Sequence, residues 1–560
     1  MQDSRTDEVF LAAVTASADE RAREVLDGVD ALLAGVPHHR AVMSAAKTLV
    51  ACGVHPESVH YGSEQGASAA ARLVEYLAGM QGENGLFDSE NLSSPPDTAF
   101  TINDLCDTYA LLQSSTAPEA LQPLAGALER IALAAAEPLR LGGVHTPNHR
   151  WELSAALARL HRHWPDERLV ARVDQWLAEG IDIAPDGMYS ERSANYALHV
   201  SNPSLTAIGI GLDRPELLDA VCRNLEAIAA TALPDGTVET VHSRRQDQRG
   251  TISLAPFLMQ FRRFAIARDR GDFAAVVEEI LEAPPVYPAD VLAEILLEPA
   301  LAGPLPAAEP RKRARSVFDS AGLAVVRDGN FAVSVFGGSD YAGQGRIRSG
   351  LASNPTFLRM FVGVAVLDSV RLSRDFFGLG PFRADQMEPT EGGFVLREQV
   401  SAAYYGPLPI ERLQADGVYE LTDEGRFSAA MDFTHRPTEG VALETEIAVQ
   451  IGEKEVRLDI AANPGRVGQV LELAFRSGGR FEGAREVPEG FEPTGAECSY
   501  RCGPDRITVT LQGEGPSGPR PFYHPGEDYT HLSGTDAVDG MRLYVPLPRT
   551  GSLSLTLTAS

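Results

Sequence analysis

The hydrophobic period of this chain changes once, near residue 300, and no single class of secondary structure accommodates both periods. Before the change, apolar residues recur every three or four positions, as at Leu169, Val173 and Leu177, a spacing typical of amphipathic helices. After it, apolar residues alternate with small polar ones, as at Leu553 and Leu555, a spacing typical of strands. The pattern predicts a multidomain α+β chain, with helices first and an antiparallel β-sandwich second.

The helical region divides into about a dozen segments joined by short links rich in Gly, Pro, Asp and Asn. The predicted helices are 7–33, 39–52, 66–80, 98–114, 117–137, 149–163, 167–179, 193–211, 215–232, 251–269, 272–282 and 288–299. Helices paired as hairpins in this number predict an (α/α) toroid, a ring whose inner-helix ends surround a cleft. An open α-solenoid is the alternative, because no close sequence repeat is visible.

Length and composition place the boundary between the two regions. At 560 residues the chain exceeds the size at which one hydrophobic core stops growing. The segment 301–310 is rich in Pro, Ala and Gly, as linkers are. We therefore predict a toroid domain at 1–300, a linker at 301–315 and a β-sandwich domain at 316–560. Within the last, Asp328-Gly329 between two alternating runs predicts a hairpin turn.

Charge and hydropathy exclude several classes of partner. The net charge of −28 argues against nucleic acid, which requires a basic face. No run approaches the roughly twenty apolar residues that a membrane span needs. The N-terminal residues lack the basic and apolar regions of a secretory signal. These features predict a cytoplasmic protein that binds neither nucleic acid nor a membrane.

The cysteines and the common motifs point to no cofactor. Five cysteines, an odd number, do not make a disulfide framework. Cys498 and Cys502 do not have the CxxC spacing, and no matching His or Cys pair follows them, so we expect no metal. The chain contains no P-loop, no GxGxxG after a strand, no HExxH and no GxSxG. Nucleotide-binding, zinc-protease and nucleophile-elbow functions are therefore excluded.

Two polar motifs in the helical region combine an amide, an imidazole and a phenol. One contains Asn148-His149, and the other runs from Asp186 to Tyr196 with the sequence DGMYSERSANY. An amide can bind a carboxylate, and an imidazole or a phenol can transfer a proton. Removing the proton next to a uronate carboxylate needs these groups, because the carboxylate must be neutralised and the departing oxygen protonated. The motifs together indicate β-elimination from an acidic sugar.

A helical half followed by a β-sandwich, the Asn148-His149 pair and the DG…ERS…Y run resemble the toroid-fold polysaccharide lyases, above all the heparinase II/III and alginate-lyase group. The resemblance implies a lyase that cleaves an acidic, uronic-acid-containing oligo- or polysaccharide. It implies that Asn148 and His149 contact the substrate carboxylate and that Tyr196 is the acid, or both acid and base. The segment 337–348 departs from the family, because it has no histidine where the family carries a His-rich element, so the family's metal site is not expected.

A basic segment at 239–249 supplies the local positive charge that an acidic protein needs to hold an acidic substrate. We predict that Arg244 and Arg245 bind the substrate carboxylate and that His242 is a base opposite Tyr196. The alternative is an ordinary solvated loop whose arginines pair with acidic residues of the protein. In the second domain, Arg346, Arg348 and Asn354 are lesser candidates for the same cleft.

Tyr189, Glu191 and His199 are predicted to contact the substrate, and Tyr189 is a lesser candidate for the role of Tyr196. His199 follows Tyr196 by three residues, which would place both side chains on one helix face. The competing structural roles are a helix N-cap for Asn148 and a packed phenol for Tyr196.

Two other functions fit the same fold. A toroid-fold glycoside hydrolase would use two carboxylates, with Asp97 or Asp104 paired with Asp186 or Glu191. A protein that binds a glycan without cleaving it is the second alternative.

Overall fold

The computed structural model describes most of the chain and divides it into two compact units. The described residues are 7–89, 92–115, 117–310, 312–341, 350–422, 430–488, 490–512, 528–529, 534–535 and 539–560. The helical unit comprises Met1–Ser190, Ala194–Ala232 and Ser253–Arg311, and the sheet unit comprises Glu191–Ser193, Leu233–Ile252 and Lys312–Ser560.

The α-helices of the helical unit follow one another with short connections. They are α1 (Glu8–Ala34), α2 (His39–Val54), α3 (Glu64–Met80), α4 (Pro95–Leu112), α5 (Pro123–Leu141), α6 (His149–His163), α7 (Glu167–Leu177), α8 (Ala194–Tyr196), α9 (Asn202–Gly211), α10 (Pro215–Ala230), α11 (Leu258–Arg268), α12 (Gly271–Ile280) and α13 (Pro288–Leu297). Two short strand pairs interrupt them, β1 (Asp88–Ser89) with β2 (Leu92–Ser93), and β3 (Thr237–Val238) with β4 (Ile252–Ser253).

Six hairpins of these described helices form a closed ring. The inner helices are α2, α4, α6, α9, α11 and α13, and each follows an outer helix. Helix α2 packs against α4 and α13, α4 against α6, and α6 against α9. Asn202 at the start of α9 donates to Gln260 of α11 at 3.0 Å, and Arg263 of α11 pairs with Glu294 of α13 at 3.6 Å. The last inner helix therefore meets the first, which confirms the toroid and excludes the open solenoid.

A buried lysine marks the closure of the ring. The Lys47 ammonium of α2 lies 2.8 Å from a carboxylate oxygen of Asp104 on α4 and 3.0 Å from one of Asp290 on α13. Burial opposes the charge of Lys47, but the two carboxylates raise its pKa well above the ordinary value. One charged group thus joins the first, second and last inner helices.

The helix bounds predicted from periodicity hold for most of the ring, and the main exception contains Tyr196. The segment 193–211 was expected to be one helix, but α8 is followed by a π-helical turn at Ala197–Ser201 before α9 begins. Pro203 lacks the N–H that would continue the α-helical ladder, so the backbone opens into a wider turn there. The helix predicted at 251–269 begins later than expected, because β4 occupies its first residues.

One turn recurs after three outer helices, a structural repeat that the sequence did not reveal. The turns contain Gly85, Gly187 and Gly236, with φ of +80°, +86° and +75°, in a region that only glycine occupies without strain. Each closes with the same backbone hydrogen bond, from Gly82 to Leu86 at 2.8 Å, from Ala184 to Met188 at 2.8 Å and from Leu233 to Thr237 at 2.7 Å. The three turns share their backbone geometry, but in sequence all three share only an Asn-Gly or Asp-Gly pair. The repeat is therefore visible in the structure and not in the sequence.

The sheet unit is built from two large sheets. Its remaining strands are β5 (Ala314–Phe318), β6 (Leu323–Asp328), β7 (Phe331–Phe336), β8 (Leu358–Val362), β9 (Ala365–Arg374), β10 (Gln386–Pro389), β11 (Gly393–Tyr405), β12 (Thr438–Ile451), β13 (Glu455–Asn463), β14 (Gln469–Phe475), β15 (Arg480–Glu482), β16 (Ala484–Val487), β17 (Gly490–Pro493), β18 (Glu497–Cys502), β19 (Asp505–Gln512), β20 (Asp528–Tyr529), β21 (Gly534–Thr535), β22 (Met541–Pro546) and β23 (Ser552–Ala559).

The two sheets pack as a β-sandwich, as predicted. Strands β10-β11-β12-β13-β23-β19-β18-β15 form one sheet and β16-β17-β22-β14-β9-β8-β7-β6-β5 the other, antiparallel except where β17 meets β22. Val333 and Leu367 of the second sheet share one core with Ile447 and Leu458 of the first. The hairpin turn expected at Asp328-Gly329 joins β6 to β7.

The nine-stranded sheet has a second face, which points away from the sandwich core. A residue about eighty positions before the first strand of this sheet packs on that face. Leu233 packs against Ala332, Phe361 and Val366 on that face. Residues 191–193 and 233–252 therefore group with the sheets, although the predicted toroid domain at 1–300 included them. These two segments are assigned to the sheet unit because their side chains pack against and bond to residues of the sheets. Helix periodicity in the sequence does not show such contacts.

None of the helices in the described ranges combines the length and the hydropathy that crossing a membrane requires.

Replacing Gly187 by alanine tests the recurring turn. A Cβ at Gly187 would lie 2.4 Å from the carbonyl oxygen of Arg223, whereas a Cβ at Gly180, with φ of +78°, would meet nothing within 4 Å. Gly180→Ala should cost about 1–2 kcal/mol from backbone strain alone. Gly187→Ala should cost roughly 2–5 kcal/mol, because steric overlap adds to that strain. Urea unfolding of both variants measures the difference, and equal destabilisation would show that the close approach to Arg223 has no energetic weight.

Candidate functional site

The first turn of α6 brings His149 into a group of aromatic and cationic side chains. The ring of His149 lies edge-on to Phe100 of α4 at 6.2 Å between centroids and to His145 at 4.9 Å. The Arg40 guanidinium of α2 lies 3.8 Å from the centre of the Phe100 ring. Arg40, Phe100 and His149 therefore form a contiguous group within the first two turns of α2, α4 and α6.

Asn148 does not cap α6, although it occupies the N-cap position. Its backbone has helical angles, φ −68° and ψ −21°, and its side chain makes no capping hydrogen bond. A capping residue needs extended angles to turn its side-chain oxygen toward the first amide groups of the helix. The Asn148 side chain is 2 % exposed, and among the described residues neither its amide nitrogen nor its oxygen has a hydrogen-bond partner. A buried amide without a partner is costly, so a bound water molecule or a ligand group would stabilise it.

Tyr196 ends α8, half-buried, immediately before the π-helical turn. π-Helical turns of this kind are frequent at functional sites. The carbonyl oxygen of Leu198 inside the turn accepts a hydrogen bond from the Gln260 side chain at 2.8 Å. Asn202, at the end of the turn, donates to Asn224 and to Gln260, each at 3.0 Å. The element that carries Tyr196 is thereby held by buried amides from α10 and α11.

The hydroxyl of Tyr189, a residue predicted to contact the substrate, is engaged in the same network. It donates to the Asn202 side chain at 2.9 Å, and the residue is buried. Burial raises the pKa of the Tyr189 phenol far above its ordinary value, and the Asp182 carboxylate adds to the effect. A phenol in this environment orders the network and is not suited to exchanging protons with a substrate.

His199 does not share a helix face with Tyr196. Residues three apart are neighbours on an α-helix, but the π-helical turn between these two rotates fewer degrees per residue. His199 instead lines a cavity of the helical unit, with its ring 6.2 Å from that of Tyr287. Its predicted contact with the substrate stays a prediction, and the structure places it in the wall of this cavity.

The cavity has a volume of about 470 Å³ and is lined by all six inner helices. Lys47 with Asp104 and Asp290 forms part of its wall. Arg159 of α6 pairs with Asp107 of α4 at 2.9 Å in the same wall. Burial would raise the pKa of the Asp107 carboxyl, but Arg159 holds it below its ordinary value.

Glu152 lies one helical turn after Asn148 and was missed by the sequence analysis. Its carboxyl group is 4 % exposed and accepts hydrogen bonds from Asn103 at 2.6 Å and from Ser204 at 2.9 Å. Burial raises its pKa from 4.5 to about 7, although both hydrogen bonds act in the opposite direction. Its only sequence signal is a charged residue inside the apolar run of α6.

The predicted basic segment lies in the sheet unit, and both of its candidate arginines pair with protein carboxylates. Arg244 contacts Asp340 through two nitrogens, at 2.7 and 2.9 Å, and Arg245 contacts Glu191 at 2.7 Å. Burial alone would raise the pKa of Asp340, but Arg244 holds it below its ordinary value. His242 is buried in the same segment. This is the alternative in which acidic residues of the protein neutralise the arginines, and Glu191 serves that purpose.

The carboxylates of the hydrolase alternative are likewise engaged inside the protein. Asp97 pairs with Arg40, Asp104 with Lys47 and Glu191 with Arg245, and Asp186 accepts the amide of Met188 at 3.3 Å. Ion pairs and turn geometry account for all four, so the structure does not single out a catalytic pair among them.

Of the lesser candidates in the second domain, Asn354 is buried and donates to the carbonyl of Gln248 at 2.6 Å, a structural contact. Arg346 and Arg348 lie outside the described residues. Within the described ranges, no cluster of His, Cys, Asp and Glu has the geometry to hold a metal ion.

Replacing Glu152 by glutamine tests its raised pKa. A carboxyl group whose pKa rises on folding, here from 4.5 to about 7, contributes stability below pH 4.5 that is lost as the pH rises through 7. Between pH 5 and pH 8 the wild type should therefore lose about 3 kcal/mol relative to Glu152→Gln. The free energy of unfolding of both proteins at the two pH values measures this. Glu75→Gln, at an exposed site on α3, should follow the wild type. Parallel curves for the wild type and Glu152→Gln would contradict the shift.

No protein-family model matches the sequence, and no curated protein matches it. Solved structures do match the fold. A xanthan lyase from Paenibacillus has a TM-score of 0.56 at 11 % identity, with 97 % of this chain and 57 % of that chain covered. A heparinase III has a TM-score of 0.53 at 12 % identity, with 89 % and 74 % covered. A second heparinase III has a TM-score of 0.51 at 11 % identity, with 93 % and 77 % covered.

These neighbours are toroid-fold polysaccharide lyases, and this chain has their fold, a helical toroid followed by an antiparallel β-sandwich.

Proposed function

We propose that this protein is a lyase that cleaves a uronic-acid-containing glycan by β-elimination. The observation that carries the proposal is the Asn148 carboxamide, which is buried at the amino end of an inner helix and has no hydrogen-bond partner among the described residues. His149 beside it contacts Phe100 and His145. The fold shared with polysaccharide lyases supports the same reaction class.

The reaction needs three groups acting on one sugar ring. A base removes the proton from C5, the electron pair of the C5–H bond becomes the C4=C5 double bond, and the C4–O4 bond breaks. An acid then protonates the departing O4. The carboxylate next to C5 gains negative charge as the proton leaves, so a donor on that carboxylate lowers the barrier.

We assign the carboxylate contact to Asn148 and His149. The amide nitrogen of Asn148 would donate to a carboxylate oxygen, which removes the cost of its unpartnered burial. Because the surroundings exclude water, that hydrogen bond would be stronger than one formed at an exposed site. The His149 ring in the same helical turn would add a second donor.

We assign proton transfer to Tyr196, with His149 as its partner. Tyr196 is half-buried, unlike Tyr189, whose hydroxyl is bonded to Asn202. The amides that hold the π-helical turn would position the Tyr196 phenol without taking part in the chemistry. Arg244 and Arg245 keep a smaller role, since Asp340 and Glu191 already neutralise them, and we assign them to ordering the segment around His242.

The function is tested by incubating the protein with a panel of uronate glycans: heparan sulfate, chondroitin, alginate and polygalacturonate. A lyase produces a conjugated C4=C5 double bond at the new non-reducing end, which absorbs in the ultraviolet. A hydrolase produces no double bond and incorporates oxygen from labelled water into the product. Products that carry the label and no chromophore would replace the lyase by the hydrolase alternative, and tight binding without turnover would leave a glycan-binding protein.

Tyr196→Phe removes one oxygen atom and should lower kcat by roughly 10²–10⁴, because a general acid is lost while the ring still packs. Asn148→Ala should lower kcat/KM by roughly 10²–10³ through the loss of a donor to the developing charge. Tyr76→Phe on the outer helix α3 is the matched control and should keep the wild-type rate. Steady-state rates on the most active glycan measure all three, and an undiminished rate in Tyr196→Phe would remove that residue from the mechanism.

A further inference from the structure

The cavity of the helical unit adjoins the residues assigned to catalysis. Its wall includes Phe100, whose ring contacts His149, and Glu152, one helical turn after Asn148. Its volume of about 470 Å³ falls in the range that holds small ligands. The cavity can therefore receive a sugar unit next to the one that reacts.

The charge on the cavity wall does not favour an anion. Among the described residues that line it are six carboxylates and five Lys or Arg side chains. Lys47, Arg159 and Arg263 each pair with a carboxylate of the same wall. A uronate or sulfate group inside the cavity would compete with these carboxylates for the cations. An uncharged hydroxyl group leaves the ion pairs intact, because it can donate to a carboxylate or accept from a guanidinium.

Tyr287 gives the cavity an apolar surface. The residue is 52 % exposed, and its φ of +59° is a left-handed conformation that costs about 1–2 kcal/mol for a residue other than glycine. It lies just before α13, where it presents an aromatic ring in the wall of the cavity. Val286 and Ile210, both exposed, lie in the same wall. Strained residues and exposed apolar groups that line a cavity are typical of ligand-binding sites.

We propose that this cavity is a subsite for an uncharged sugar unit of the glycan, with Tyr287 as the platform against which the sugar ring packs. The apolar C–H face of the ring would lie on Tyr287, and its hydroxyl groups would face the ion pairs of the cavity wall. The proposal rests on the glycan-cleaving function above and adds to it that the substrate carries a neutral sugar beside the uronate.

Binding of neutral disaccharides tests the subsite without requiring turnover. Cellobiose, lactose, maltose and, as the charged probe, digalacturonate are titrated into the full-length protein and followed by saturation-transfer NMR. At least one neutral disaccharide should bind, and digalacturonate should not displace it. The proposal is overturned if no neutral disaccharide binds or if digalacturonate displaces the bound one.

Two substitutions at position 287 separate the role of the ring from that of the fold. Tyr287→Phe should bind the neutral disaccharide within about twofold of the wild type, because the aromatic face is kept. Tyr287→Gly should lose about tenfold or more in affinity while its unfolding transition is unchanged or higher, because glycine relieves the backbone strain. Tyr61→Ala, at another exposed tyrosine of the helical unit, should bind as the wild type does. Unchanged affinity in Tyr287→Gly would overturn the proposal.

These outcomes distinguish the subsite from the reaction. If neutral sugars bind in a Tyr287-dependent manner but no uronate glycan is cleaved, the subsite stands and the lyase function is wrong. If a uronate glycan is cleaved but Tyr287→Gly changes neither disaccharide binding nor KM, the lyase function stands and the subsite is wrong.

Discussion

The ion pairs of Lys47 are the interaction on which the helical unit depends. One buried ammonium group contacts carboxylates from the second and the last inner helices, so it joins the end of the ring to its beginning. Removing the ammonium group would leave two carboxylates close together without a cation, which destabilises the folded state. A ring closed by directional contacts has a defined diameter, whereas apolar packing alone would tolerate sliding of one helix past another. The same charged side chains form part of the inner wall of the central cavity.

The order of the inner helices also explains how separate motifs come to lie near one another. Consecutive packing of α2, α4 and α6 places Arg40 against Phe100 and Phe100 beside His149. The same helices carry the wall of the cavity about two or three turns further along, at Lys47, Asp107 and Arg159. Candidate catalytic groups and a charge-balanced pocket are therefore parts of one arrangement.

Several features of the site followed from the sequence, and others did not. Asn148, His149 and Tyr196 were proposed from residue type and order, since the proposed elimination needs an amide, an imidazole and a phenol whatever the fold. Glu152 was not singled out, because its raised pKa comes from burial, which exists only in the folded ring. The basic segment was expected to offer Arg244 and Arg245 to a substrate, but Asp340, nearly a hundred residues away, takes up one guanidinium. Periodicity also could not show the π-helical turn after Tyr196, which depends on a proline and on amides from other helices.

The sequence by itself determined the two classes of secondary structure, the order in which they occur and most of the helix bounds, because hydrophobic period and capping residues act over a few neighbouring positions. It determined the chemistry that each side chain has to offer. Only the tertiary structure decided that the hairpins close into a ring, that two segments of the first three hundred residues belong with the sheets, and which charged groups are neutralised. Those outcomes depend on contacts between residues far apart in the chain. The local sequence pattern does not show which distant residue will pair with a buried charged group.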